Sequence, residues 1–190
     1  MAPARRLAIS VPLSMSLRPR GGKKPLLFKT ADIIIAGGAT RTSMRAMSGI
    51  EFLRGLMDGT LPPPAFSSTS RIKPVEVAEG RVVFEGEPHG DFYNPMGTVH
   101  GGWIATLIDT AMACAVHSSL KPGEIFTTVE MNITYVRPVQ AATGTLRCEG
   151  VLLHSGGRVA SAEGKVYDAA GNLIAHGSET CLITRAPRAQ

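Results

Sequence analysis

At 190 residues with 44% hydrophobic content, the chain suits one domain with a sizeable core and needs no second. Its net charge of +5 is unevenly placed: residues 1–45 hold nine Lys/Arg against Asp32 alone, and the remainder holds eleven basic and fourteen acidic side chains. The globular part is therefore mildly acidic, which argues against a nucleic-acid surface. Cys114, Cys148 and Cys181 lack metal or CxxC spacing and read as buried free thiols of a reducing compartment, with no disulfide and no zinc.

Residues 1–46 mix Arg, Pro, Ser and Gly with apolar pieces too short to span a membrane. Arg-rich, acid-poor composition fits an organellar transit peptide, but Pro and Gly interrupt any continuous amphipathic helix. A start at Met44 or Met47 behind a translated upstream stretch accounts for it equally. The expectation is a largely disordered leader at 1–46, a single domain at 47–185 and a tail at 186–190.

Residues 48–59 predict a short amphipathic helix opened by a Ser48/Glu51 capping box and closed by Gly59, with Ile50, Leu53, Leu56 and Met57 on one face. Leu61-Pro62-Pro63-Pro64 is extended. Residues 72–78 and 81–87 alternate apolar and polar around Glu79-Gly80, a β-hairpin signal. His89 and Asp91 lie in the following turn and read as solvated.

Asn94-Pro95 and Gly97 mark another turn, followed by His100-Gly101-Gly102 and the run WIATLIDTAMACAV at 103–116. Ile104, Leu107, Ile108, Ala111, Met112 and Ala115 recur at helical spacing, and the other faces are small or apolar, which predicts a buried helix. Its one carboxylate is Asp109. A carboxylate there needs either a compensating partner, such as a neighbouring Thr, or a function that uses its raised basicity. Glycines opening the helix let a ligand reach its first free N–H groups, where a developing oxyanion is stabilised. Gly101 and Asp109 are eight residues apart, roughly 12 Å along one helix. One copy therefore cannot bring both to the same carbonyl, and joint action requires two antiparallel helices across a two-fold axis, an isologous dimer with two shared sites.

Lys121-Pro122-Gly123 ends the helical stretch. Residues 125–136 alternate, with Val129, Met131, Ile133 and Tyr135 on one face and Thr128, Glu130, Asn132 and Thr134 on the other. Further strands are expected at 143–154, 158–167 and 172–184. Two strands, a long helix and four strands give an α+β class, an antiparallel sheet with the helix against one face.

The order Asn94, Gly97, His100-Gly101-Gly102, Asp109 and then TVEMNITYVRP at 128–138 resembles the hotdog-fold acyl-CoA thioesterases of the phenylacetate-pathway PaaI type, over about residues 50–184. The resemblance implies a curved antiparallel sheet wrapped around one long central helix, a homodimer assembling to a homotetramer, and hydrolysis of an acyl-CoA thioester without metal or redox cofactor, coenzyme A being part of the substrate. It implies Asp109 as general base or nucleophile, the Gly101 N–H as oxyanion donor from the partner subunit, Asn94 as a hydrogen-bonding group for the thioester or the attacking water, and Thr128 as the hydroxyl that orients that water. Ala113, one turn after Asp109, offers no hydroxyl for that task. His100 either orients the loop and Asn94, the favoured role, or donates to the substrate. Gly102, Arg137 and Arg158 are candidates for contacts to substrate and coenzyme A phosphates. His117 is expected to interact favourably with the helix dipole at its C-terminus. Phe66, Trp103 and Met112 could line an aryl or medium-chain acyl pocket and are equally at home in a core. The rival readings are a hotdog enoyl-acyl hydratase or dehydratase, whose loop signature differs, and a non-catalytic acyl-CoA sensor, which would lack the carboxylate. The expected compartment is the cytoplasm, or an organelle matrix if 1–46 is a transit peptide.

Overall fold

Two of the three α-helices among the described residues begin on a side-chain cap, Ser48 for one and His100 for the other. The computed structural model describes residues 46–185; the expected leader, Ala46 excepted, and the tail at 186–190 lie outside the described residues. Helix α1 (Gly49–Asp58) carries the full capping box: the Ser48 N–H donates to Glu51 Oε2 at 2.8 Å and the Glu51 N–H to Ser48 Oγ at 3.4 Å. It ends at Gly59 in the left-handed region, φ 80°. Its Leu53 is buried, its Gly49 N–H donates to Leu120 O, and it packs against β1 and the end of the long helix. Helix α2 (Ala65–Ser70) follows the proline run and has no apolar period to announce it. Tertiary contact holds it, through the Trp103 indole N–H donating to Ser70 O at 2.8 Å.

The strands are β1 (Ile72–Ala78), β2 (Arg81–Gly86), β3 (Glu124–Tyr135), β4 (Leu146–Ser155), β5 (Val159–Tyr167) and β6 (Leu173–Arg185). They form one antiparallel sheet in the order β1-β2-β4-β5-β6-β3. The long helix α3 (Gly101–Ser118) lies on it, chiefly across β4, β2 and β5, giving the expected α+β arrangement. Leu107, Ile108, Ala111, Met112, Ala115 and Val116 are fully buried on its sheet side, each large side chain contributing about 1.5–3 kcal/mol.

The sheet is hollowed to receive this helix. Gly150 on β4 pairs with Gly164 on β5. A Cβ on Gly150 would stand 2.1 Å from the Ala111 carbonyl oxygen, and one on Gly164 would stand 2.7 Å from Ile108 Cγ1. No side chain fits at either position while the helix keeps its place.

Two expectations need correction. Helix α3 is not buried all round: Ala105, Thr106, Asp109, Thr110 and Ala113 are only half-buried, because this chain's sheet covers one flank. Second, β3 does not alternate strictly. Its pairing with β6 shifts between Thr128 and Glu130, so Thr128 pairs with Cys181 and Met131 with Glu179. The extra residue, Val129, moves Thr128 onto the same face as Met131, Ile133 and Tyr135, towards the helix.

Candidate active site

Helix α3 starts with one occupied and one unoccupied N–H. His100 is its N-cap, and its ring Nδ1 accepts the Gly102 N–H at 2.8 Å. As an acceptor, Nδ1 carries no proton, so in the neutral ring the proton is on Nε2. The His100 carbonyl takes the Trp103 N–H. The Gly101 N–H has no hydrogen-bond partner among the described residues, which leaves it as the donor available to a ligand at the positive end of the helix. Gly102, expected to contact substrate, has its N–H committed to His100. The Tyr135 hydroxyl donates to the Gly101 carbonyl at 3.0 Å, and its ring stands 3.3 Å from where a Cβ on residue 101 would be.

Asn94 shapes the preceding turn. Its Oδ1 accepts the Met96 and Thr98 N–H groups, and its Nδ2 donates to Thr98 Oγ1 at 2.9 Å, leaving one amide N–H uncommitted. His100 makes no bond to the Asn94 side chain. Its backbone N–H donates instead to Phe92 O at 2.7 Å.

Asp109 sits on the flank of α3 that the sheet leaves uncovered, half-buried, with no hydrogen bond to its carboxylate among the described residues. Partial burial raises its pKa, so it is a stronger base than a solvated Asp. Thr128 reaches the same region from β3, and its hydroxyl donates to Glu179 Oε1 at 2.6 Å. Glu179, on β6, is only 2% exposed. Its Oε1 also accepts the Cys181 thiol at 2.9 Å, whereas Oε2 has no partner among the described residues. Burial raises the Glu179 pKa, and the negative charge of Asp109 raises it further, whereas the two hydrogen bonds act the other way. Sequence reasoning passed over Glu179, although alternation with Cys181 and Ile183 at the end of β6 was a signal that it points inward.

The remaining candidates separate. Arg137 lines a cleft of about 290 Å³ together with Gly101, Ile104 and Tyr135, and its Nη1 donates to Leu173 O. Arg158 lies near the other end of β6: its carbonyl accepts from Ile183, whereas the Arg137 N–H donates to Ile174 O. Nine residues of strand, roughly 30 Å, lie between those points. The two arginines therefore cannot share one lip within a single chain. Trp103 and Met112 are buried in the core, with Trp103 stacked on Phe92 at 5.4 Å, and Phe66 is exposed on α2.

His117 departs from the dipole role. Its ring lies between Phe52 and Phe126, with centroids 5.2 and 5.5 Å away. Burial pushes its pKa down to about 4, so it is neutral at pH 7 and brings no charge to the helix end. Burial pushes the Cys114 and Cys181 thiols up to about 12, which makes them poor nucleophiles. No three His, Cys, Asp or Glu side chains among the described residues come together as metal ligands.

With this geometry in view, the similarities to known proteins are specific. Residues 96–175 match the thioesterase superfamily model. Acyl-coenzyme A thioesterase 13 of Homo sapiens is 32% identical over 112 residues, spanning 58% of this chain and 78% of that protein. The crystal structure of a phenylacetic acid degradation-related protein of Ralstonia eutropha JMP134 superposes with a TM-score of 0.63 at 28% identity, covering 68% of this chain and 98% of that one. PaaI of E. coli, at 20% identity, shares the fold with a TM-score of 0.63 over 74% of this chain and 97% of its own. The hotdog fold, the matched motif region and the level of identity agree: the chain belongs to the thioesterase superfamily and is a thioester hydrolase.

Proposed function

We propose that the protein hydrolyses an aryl- or medium-chain acyl-CoA to the free acid and coenzyme A, at two sites shared across the two-fold axis of a homodimer. One observation carries the reading: a half-buried carboxylate without a hydrogen-bond partner, Asp109, and an uncommitted N–H, Gly101, occupy one helix too far apart to serve one carbonyl. Strand β3 supports the second copy. Among the described residues it ends the sheet as an unpaired edge, and Val129, Met131, Tyr135 and Val136 are exposed on or beside it. Such an edge invites pairing with another strand. Two β3 edges joined across a two-fold axis would set the α3 helices antiparallel, each N-terminus toward the partner's Asp109. Two dimers then make the tetramer expected from the resemblance.

In this reading the partner's Gly101 N–H holds the thioester oxygen as it gains charge, and Asp109 acts as base or nucleophile. As base, it takes a proton from water whose oxygen attacks the carbonyl carbon. The tetrahedral intermediate then expels the coenzyme A thiolate, which recovers that proton as the carboxylic acid forms. Water is the only co-reactant, and no oxidation state changes, so the chemistry calls for neither metal nor redox cofactor. Arg137 lines the cleft, which supports its assignment as a contact for coenzyme A phosphate. The free thiols suit a reducing compartment, the cytoplasm or an organelle matrix.

The test is thiol release from phenylacetyl-, hydroxybenzoyl- and straight-chain acyl-CoAs by wild type and Asp109→Ala in parallel. Turnover that collapses in the variant supports the reaction and its carboxylate. Equal rates remove Asp109 from the mechanism. Silence from both, with loss of the conjugated double bond of an enoyl-CoA, turns the reading to a hydratase, and tight binding without either reaction turns it to a sensor.

A further inference from the structure

We propose that Glu179 is a positioning residue of the hydrolytic site: by accepting the Thr128 hydroxyl hydrogen bond on Oε1, it leaves the Thr128 oxygen to accept a hydrogen bond from the attacking water. The proposal rests on the thioesterase reading above and adds a residue to it.

The geometry carries the first step. A hydroxyl has one proton and two lone pairs. The Thr128 proton is committed to Glu179 Oε1 at 2.6 Å, so towards a water Thr128 can act only as acceptor. A water that gives one hydrogen to Thr128 and the other to Asp109 has both hydrogens drawn to the protein, and an oxygen lone pair is left for the carbonyl carbon. Either route through Asp109 needs such a water, to attack the thioester directly or to hydrolyse an acyl-enzyme. Without Glu179 the Thr128 hydroxyl would turn freely and could equally donate to the water, which would occupy the lone pair needed for attack.

The second step concerns the state of Glu179. Its Oε1 accepts from both Thr128 and Cys181, while Oε2 is buried with no donor to meet it among the described residues. An ionised carboxylate would leave that oxygen charged and unsolvated, so the proton belongs on Oε2. The groups facing Glu179 agree. Helix α3 presents Asp109 and Cys114, β6 itself presents Cys181, and the cross-strand neighbours are Met131 on β3 and Ala162 on β5. None of these is a cation. Of two nearby carboxyls, the more buried keeps its proton, and the more open one, Asp109, is left ionised to act as base.

The experiment compares Glu179→Gln, Glu179→Leu, Thr128→Val and the Thr128→Val/Glu179→Leu double variant on a thioester that wild type hydrolyses. Glu179→Gln keeps an acceptor for Thr128 and a neutral head group, so kcat should stay within about threefold of wild type, whereas Glu179→Leu should lose kcat by about tenfold or more with KM unchanged. Adding Glu179→Leu to Thr128→Val should cost nothing further, because both remove the same oriented hydroxyl. Ionisation of Glu179 beside Asp109 should change wild-type kcat along an alkaline limb, and Glu179→Gln should lose that limb. Gln as damaging as Leu, wild-type kcat in Leu, additive losses, or an alkaline limb retained in Gln would each overturn the proposal. The Gln pH profile decides alone if the Leu variant does not fold. Wild-type turnover that vanishes in Asp109→Asn but survives in Glu179→Leu removes Glu179 and spares the thioesterase reading; silence of wild type on every thioester removes both.

Discussion

The two flanks of helix α3 differ in what they ask of their surroundings. On the sheet side, apolar side chains at i, i+3 and i+4 meet a floor hollowed by Gly150 and Gly164, and every large group there finds a neighbour within its own chain. On the other flank, small residues surround Asp109, which has no hydrogen-bond partner among the described residues, and the polar groups of Thr128 and Glu179 gather close by. Packing is concentrated on the first flank, and the groups proposed to act in hydrolysis on the second. Substitutions should therefore separate the two properties.

The largest effect is expected on the chemical flank. Asp109→Asn should lower kcat about 10³-fold, roughly 4 kcal/mol of barrier, and leave unfolding free energy unchanged or slightly higher, because it removes a half-buried charge that has no partner. Steady-state thiol release and urea unfolding on the same preparation check both halves. A matching loss of stability would break the contrast between the flanks.

The opposite result is expected at Gly150. Gly150→Ala drives a methyl against the Ala111 carbonyl, and should cost about 3 kcal/mol of stability through overpacking, with the same substrate preference in whatever fraction remains folded. Denaturant midpoints at constant m-value are the measure. A tolerated alanine would show that the helix can lift from the sheet.

A smaller effect is set by pH at the far end of the helix. His117 stays neutral in the folded protein down to about 4, whereas an unfolded histidine protonates near 6.5. Its folded pKa is depressed, so its contribution is fully present above pH 6.5 and is lost as pH falls towards 4. At pH 5 that loss is about 2 kcal/mol relative to pH 7. His117→Phe should flatten this part of the stability profile, and an unchanged slope would show that carboxyl groups alone set it. The smallest effect is at a helix start: Ser48→Ala removes one side of the capping box and should cost about 1 kcal/mol, read as a lowered Tm with kcat unaltered.

What could be read directly from residue order is what neighbouring residues decide among themselves. The capping box of Ser48 and Glu51, the hairpin around Glu79-Gly80, the helical period from Ile104 to Ala115 and the unusual position of Asp109 all depend on spacings within a few turns or one hairpin. Those features were enough to establish the α+β class, and with the motif at 128–138 they pointed to the family. Tertiary structure decided the rest. Helix α2 has no periodicity of its own and is held by a bond from Trp103. The face on which Thr128 lies depends on its pairing with Cys181, and one extra residue at Val129 reverses what strict alternation gives. The N–H that remains free is chosen by the His100 ring, which takes Gly102 and leaves Gly101. Glu179 acquires its importance only when β3 and α3 close over it and leave one oxygen without a partner. The division has one physical cause: propensity, capping and periodicity act over a few residues, whereas burial, register and proton sharing are properties of groups that meet only after the chain has folded.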